Sequence, residues 1–465
     1  MAAPRLFAAA AVSAALVLVP VSAGAAPFGP GAAGSGEKYF PGMGNGGYDV
    51  AHYGIKLDYD PVSLALTGRV KITATAKQGL SRFNLDLRGL LVRSVAVDGK
   101  AAKWKRTGAQ ELVITPAKGI PDGRRFTVVV AYDGKPAQIN DDPLGSSGWI
   151  ATSDGAVALN QPFGAATWFP VNDTPKDKAS YDFAITVPQG LTAIANGDFL
   201  GRKTAKGKSV YRWRMKQPMS SELSMVAIGK YKVLRTNTGG LESYTAIDSA
   251  LAESGQLKKY DKKTRSVLRW LSGRFGAYPF TSTGGILDEV NVGYSLETQG
   301  RPVHDWNMKG KNPPDDLIVH ELAHQWFGDS VTPAKWKDIW LNEGFATYAE
   351  WMWTEKNGGA TAAQQFKQAY SAGPNADVWK GVLAEPGRDH IFDNFVYQRG
   401  AMTAHRLRVA LGDKVFFGLL KSWLATGKGG TVSTKEFQAF AERYSGKQLD
   451  ALFAKWVYKA GKPKL

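Results

Sequence analysis

Between Tyr48 and about Lys232, apolar and polar positions alternate with a period of two. Tyr53, Ile55, Leu57 and Tyr59 make one such run, and Phe83, Leu85 and Leu87 a second. Phe126, Val128, Val130 and Tyr132 follow the same rule, as do Tyr181, Phe183, Ile185 and Val187. Successive side chains of a strand point to opposite faces, so this pattern predicts strands with one buried face. Asp98-Gly99, Asp122-Gly123 and Asp133-Gly134 supply turn signals between runs. Residues 48–235 therefore read as an antiparallel β domain.

Past about residue 255 the period lengthens. Leu257 to Phe275 predicts a helix closed by Gly276 and Pro279. A short extended segment, Gly285 to Thr298, comes next. Helical patterns then cover Asp315 to Phe327, Trp336 to Lys356, Tyr397 to Leu411, Lys414 to Leu424, Thr434 to Tyr444 and Leu449 to Tyr458. A β-rich half followed by a mostly helical half, 236–465, is α+β in two domains, the division expected for 465 residues.

The N-terminus reads differently from either half. Arg5 precedes an apolar run, Leu6 to Val19, that is too short to span a bilayer. Ala23, Gly24, Ala25 and Ala26 then offer a cleavage site, so residues 1–26 are expected to be a signal peptide and the protein secreted. Residues 27–47, rich in Gly, Pro and Ala, have linker composition. No later stretch has the length and apolarity of a transmembrane helix.

Composition narrows the chemistry. There is no cysteine, which excludes thiol nucleophiles and Cys metal ligands, and leaves stability to core burial and any bound metal even in an oxidising compartment. The formal net charge of +17 raises nucleic acid as a partner. The basic residues are scattered, however. The densest cluster is Lys103, Lys105 and Arg106 around Trp104, without a recognition helix. Nucleic acid is not expected as a partner; peptides or proteins as substrates are.

The strongest local signal is His320-Glu321-Leu322-Ala323-His324. Asp315 or Asp316, after Pro313-Pro314, can cap a helix carrying it. One turn apart, His320 and His324 share a face and can grip one ion, with Glu321 beside a metal-bound water as base. Glu343 follows His324 after a stretch long enough for the chain to turn near Pro333 and return on a second helix. Two neutral imidazoles and a carboxylate leave a fourth position for water, the arrangement of a catalytic zinc. Iron is the rival for such a trio, but an oxygenase has no use for the base at Glu321.

With these residues placed, the chain resembles the aminopeptidase N family of gluzincins, from about Tyr48 to its C-terminus. The residues that carry the resemblance are His320 to Gly328 (His-Glu-Leu-Ala-His-Gln-Trp-Phe-Gly) and Trp340-Leu341-Asn342-Glu343-Gly344. It implies a β N-terminal domain before a thermolysin-like catalytic domain with one zinc. Tyr397-Gln398-Arg399-Gly400 is similar to the family's tyrosine segment, which implies that Tyr397 donates a hydrogen bond to the tetrahedral intermediate. Gly293-Tyr294-Ser295-Leu296-Glu297-Thr298 stands where the family has its exopeptidase motif. Glu297 matches the glutamate that binds the substrate α-ammonium, whereas Tyr294, Leu296 and Thr298 depart from the pattern. Gln161 resembles the glutamine that assists at that site. Larger relatives continue into a helical domain over the cleft, so a more open site is expected here. Three functions stay in contention: a zinc aminopeptidase, an endopeptidase or broad peptidase on the same chemistry, and a silent zinc-containing extracellular binding protein. Epoxide hydrolysis, also found in the resembling family, has no marker in this sequence.

Overall fold

A computed structural model describes residues 28–305 and 313–465. The signal peptide expected at 1–26 lies outside the described residues. The alternating runs become strands as their period dictates. One eight-stranded sheet has the order Asp198–Ala205, Lys208–Met219, Ala179–Pro188, Tyr48–Asp60, Ala65–Ala76, Arg125–Gly134, Leu91–Val97, Lys100–Ala101. Its pairings are antiparallel except that Ala179–Pro188 runs parallel to Tyr48–Asp60. Tyr53, Ile55, Leu57, Val128, Val130, Phe183 and Ile185 are all at most 2% exposed, so the inward face of each strand is the predicted one. Each such side chain contributes about 1.5–3 kcal/mol on burial. A five-stranded sheet, Gln138–Asp141, Gly145–Ala151, Ala156–Leu159, Val226–Gly229 and Thr192–Ala195, shares this core, with Trp149 meeting Tyr59 at 5.0 Å between ring centroids. At the Asp98-Gly99 turn both residues have positive φ, 48° and 75°, the conformation for which the Asp-Gly pair is suited.

The second half holds more sheet than expected. Tyr231–Thr238, Leu241–Asp248, Ser282–Asp288, Val303–Asp305 and Ser295–Leu296 form a mixed five-stranded sheet in that order. Every residue of Ser282–Asp288 is buried, so it carries no alternation, and the last two strands are too short to show a period. Helices α1 (Gln256–Phe275), α2 (Asp315–Ala323), α3 (Trp340–Lys356), α4 (Ala362–Tyr370) and α5 (Asn394–Leu411) follow, then α6 (Asp413–Thr426), α7 (Thr434–Ser445) and α8 (Asp450–Trp456). α2 is four residues shorter than predicted, because the chain tightens into turns from His324 onward. Its N-cap is Pro314 with no side-chain cap, and Asp315 and Asp316 occupy its first turn instead. α4 went unpredicted, although Thr361 and Gln364 form a capping box at its start.

The two halves meet through a buried lysine. Lys178 Nζ, from the β half, donates to the Asp329 and Ser330 carbonyls at 2.8 and 3.1 Å and to Thr332 Oγ1 at 2.9 Å. These acceptors lie just past α2, so the contact fixes the C-terminal end of α2 against the β domain.

Candidate active site

Three side chains converge between α2 and α3. His320 lies on α2, His324 is its C-cap, and Glu343 sits in the first turn of α3. Glu343 Oε2 is 3.2 Å from Nε2 of each histidine. One ligand atom from each of the three lies within 4.8 Å of the others, and all three residues are buried. The remaining imidazole nitrogens are also engaged: His320 Nδ1 is 2.5 Å from Glu350 Oε1, and His324 Nδ1 is 3.0 Å from the Phe327 carbonyl. Both Nε2 atoms are thereby turned to one point. A metal-binding histidine commonly has such a partner, which fixes its tautomer and ring orientation. The donor set of two imidazoles and one carboxylate, with a cavity on one side, fits a zinc ion.

α5 brings the tyrosine. α3 and α5 cross at Gly344 and Gly400, where a Cβ built on Gly344 would lie 2.7 Å from Gly400 Cα. Only glycine at both positions permits that approach, and each glycine is adjacent or nearly so to a site residue, Glu343 or Tyr397. The Tyr397 ring stacks beside His320 at 5.9 Å between centroids. Arg399, buried under the same crossing, donates to the Trp456 and Lys455 carbonyls at 2.9 and 3.1 Å, so it closes the end of α8.

The exopeptidase-like segment also reaches the cavity, despite its altered residues. Asp305 accepts from the backbone N–H groups of Asn291, Val292 and Gly293, and Gln325 Nε2, just past α2, donates to the Glu297 carbonyl at 3.0 Å. Leu296 is buried in the core, and Thr298 Oγ1 donates to the Arg301 carbonyl. Tyr294 Oη donates to the Ser146 carbonyl at 2.5 Å, across to the β half. Glu297, Glu321 and His324 then bring ligand-type atoms within 4.8 Å of one another. Gln161, beside a cis peptide to Pro162, donates from Nε2 to Glu297 Oε1 at 2.9 Å. A cavity of about 410 Å³ is lined by Gln161, Glu297, Glu321, Tyr397 and the ligand trio, so every site residue expected from the sequence faces one space.

Burial and charge tune these groups. Burial pushes the Glu321 carboxyl up to about 8, reinforced by Glu297 and opposed by His320. A dication seated among the ligands would pull it back down, toward the range of a base working near neutral pH. Burial lowers the basicity of His324, but Glu297 and Glu343 outweigh it and raise its pKa to about 9. A metal seated there would displace the proton that His324 holds. Burial and then Glu343 push the Tyr397 hydroxyl upward, so it is a neutral donor at physiological pH.

Residues 50–223 match the peptidase M1 N-terminal domain and residues 304–456 the peptidase family M1 domain. The fold superposes on the crystal structure of an M1 zinc metallopeptidase from Deinococcus radiodurans with a TM-score of 0.84, at 30% identity, over 93% of this chain and 98% of that one. The chain belongs to peptidase family M1. Probable aminopeptidase 2 of Sulfurisphaera tokodaii is 25% identical over 89% of this chain, and leukotriene A-4 hydrolase of Xenopus laevis 23% over 90%. The chain spans 54% of the length of the first and 72% of the second.

Within this M1 site, sequence reasoning overlooked Glu350. It lies seven residues after Glu343, two turns along the same face of α3, and that spacing was a legible signal. Of the apolar walls, Leu144 and Phe392 come from separate segments that carry no motif, while Tyr294 belongs to the exopeptidase-like segment and Leu317 to α2.

Proposed function

We propose that this M1 chain is a zinc-dependent aminopeptidase that hydrolyses the N-terminal bond of peptides. The observation that carries the reading is the pair Glu297 and Gln161, hydrogen-bonded to each other in the cavity that the ligand trio lines. The cavity is lined by Glu297, Asp316, Glu321, Glu343 and Glu350, with no lysine or arginine among its described lining residues. Such a space suits a cationic chain end. A buried carboxylate facing an ammonium is worth far more than an exposed pair, and that preference restricts cleavage to chain ends. The peptide substrate class is supported by the Deinococcus radiodurans relative, which was crystallised in mutant form with a Tyr-Ser-Ala substrate.

In this reading His320, His324 and Glu343 hold the zinc, and Glu350 holds His320. Zinc bound there would supply Lewis-acid polarisation of the scissile carbonyl and a water acidified to a pKa of about 7. Glu321 takes the proton from the attacking water and returns it to the leaving amine. Tyr397 donates to the developing oxyanion, where a preplaced neutral donor lowers the barrier. Glu297 and Gln161 fix the α-ammonium, so the scissile bond of the first residue meets Glu321. The β domain, 48–235, contributes Gln161 and Leu144, while the thermolysin-like domain, 236–465, contributes the rest.

Glu297→Gln tests the assignment. It keeps shape and removes charge, so kcat/KM on free-amine substrates should fall by about 2–4 kcal/mol in transition-state stabilisation. Blocked substrates should be unaffected, since they never use the charge. Equal losses for both would contradict the role.

Residues 1–26 are read as a signal peptide, which would send the enzyme outside the cytoplasm. Among the described residues no helix is long and apolar enough to cross a membrane. N-terminal sequencing of exported protein should find a new terminus after Ala25 or Ala26; an intact Met1 would contradict it.

A further inference from the structure

Glu222 has no part in the reading so far. It lies in the 3-10 turn Ser221–Leu223 of the β half and is 3% exposed. Its Oε2 accepts from Gln161 Nε2 at 3.2 Å, the same nitrogen that donates to Glu297 Oε1 at 2.9 Å. A primary amide nitrogen carries two hydrogens, so both are committed to carboxylates. The amide's other end, Oε1, is the acceptor left for a ligand. Reversing the amide would forfeit two charge-assisted hydrogen bonds and set three acceptor oxygens against one another.

The turn that carries Glu222 is itself held from several sides. Ser221 Oγ donates to Asp173 Oδ1 at 2.8 Å, Ser224 Oγ to the Ser221 carbonyl at 2.6 Å, and Asn196 Nδ2 to the Leu223 carbonyl at 2.9 Å. Gln161 and Glu297 line the cavity, whereas Glu222 is not among the described lining residues. The contact of Glu222 with the cavity lining therefore runs through Gln161.

We infer that Glu222 is a positioning residue for the substrate's free N-terminus: it locks the Gln161 amide with its carbonyl oxygen toward the α-ammonium, beside Glu297. The inference rests on the aminopeptidase reading above. Glu297 alone cannot serve as the lock, because an arriving ammonium competes for its oxygens. Glu222 has no such competitor and keeps its hold throughout. Burial, then the Glu297 charge, raise the Glu222 pKa to about 8. Ionised, the carboxyl can only accept, so it admits one sense of the Gln161 amide, whereas the amide in Glu222→Gln offers both donor and acceptor and fixes neither.

A double-mutant cycle in the zinc-loaded full chain separates this role from a structural one. Leucinamide binding by titration calorimetry and hydrolysis of leucine p-nitroanilide are measured for Glu222→Gln, Gln161→Ala and the double variant. Glu222→Gln should weaken leucinamide binding and raise KM by about tenfold, the size of one charge-assisted hydrogen bond. The turnover number, zinc content and Tm should stay near those of the wild type. In the Gln161→Ala background the same change should do nothing further, because there is no amide left to hold. Additive losses, or an unchanged KM, would overturn the role while leaving the aminopeptidase reading intact. A wild type that binds no leucinamide would overturn both. If Glu222→Gln does not fold, Glu222→Asp takes its place in the cycle with the same criteria.

Discussion

Replacing Glu350 by glutamine should loosen zinc while leaving the three ligands in place. Glu350 Oε1 lies 2.5 Å from His320 Nδ1, and the substitution is nearly isosteric, so the contact persists with its charge removed. A hydrogen bond to a charged partner contributes about 1.5–3 kcal/mol and a neutral one about 0.5–1.5 kcal/mol. The difference, about 1–1.5 kcal/mol, is close to tenfold in zinc affinity. The Glu350 side chain is 25% exposed, which screens its charge and favours the lower end. Glu350→Ala removes the partner altogether and should approach the hundredfold end of the 10–100-fold range typical of such supporting contacts. Competition against a chelator of known affinity measures both variants, with turnover recorded at saturating zinc. Zinc affinity within about twofold of wild type in both, or an alanine variant no weaker than the glutamine one, would refute the reasoning.

Other variants probe the remaining roles. Glu321→Gln should keep zinc and lose nearly all turnover, whereas Glu343→Ala should lose the metal; equal metal loss in both would mean the base is misassigned. Tyr397→Phe should lower kcat by about 10²–10³ at unchanged zinc content, the effect of removing one oxyanion donor, and a loss under about threefold would return Tyr397 to mere packing. His304 is buried and neutral, its pKa lowered by burial from 6.5 to about 3. Below 6.5 the unfolded chain takes a proton that the fold refuses, so stability falls as pH drops from 6.5 toward 3, by up to about 1.4 kcal/mol per pH unit. The difference in urea-unfolding stability between wild type and His304→Gln should change with this slope across that window; parallel curves would contradict it.

Much of this was legible in the sequence because periodicity survives wherever one face of an element is buried. Tyr53, Ile55 and Leu57 declared their strand because the neighbours between them face outward. Ser282–Asp288 did not, because its whole length is buried and no alternation remains. His320, His324 and Glu343 were readable because two helices hold them at fixed spacing. Glu297 could be named, but its reach into the cavity depends on Asp305 and Gln325 holding the segment, which no local pattern reveals. Glu222 meets Gln161 across 61 positions of chain, a contact that only the folded β sheets create.

The most direct test of the central claim compares a free-amine aminoacyl anilide with its N-acetylated form on zinc-loaded and chelator-treated protein. Zinc-dependent hydrolysis should favour the free amine by roughly 30-fold or more, the lower bound of a buried charge pair worth about 2 kcal/mol. Undiminished turnover in a strong chelator would contradict the metallopeptidase assignment. Cleavage of the acetylated substrate as fast as the free amine would contradict the aminopeptidase one and leave an endopeptidase on the same site.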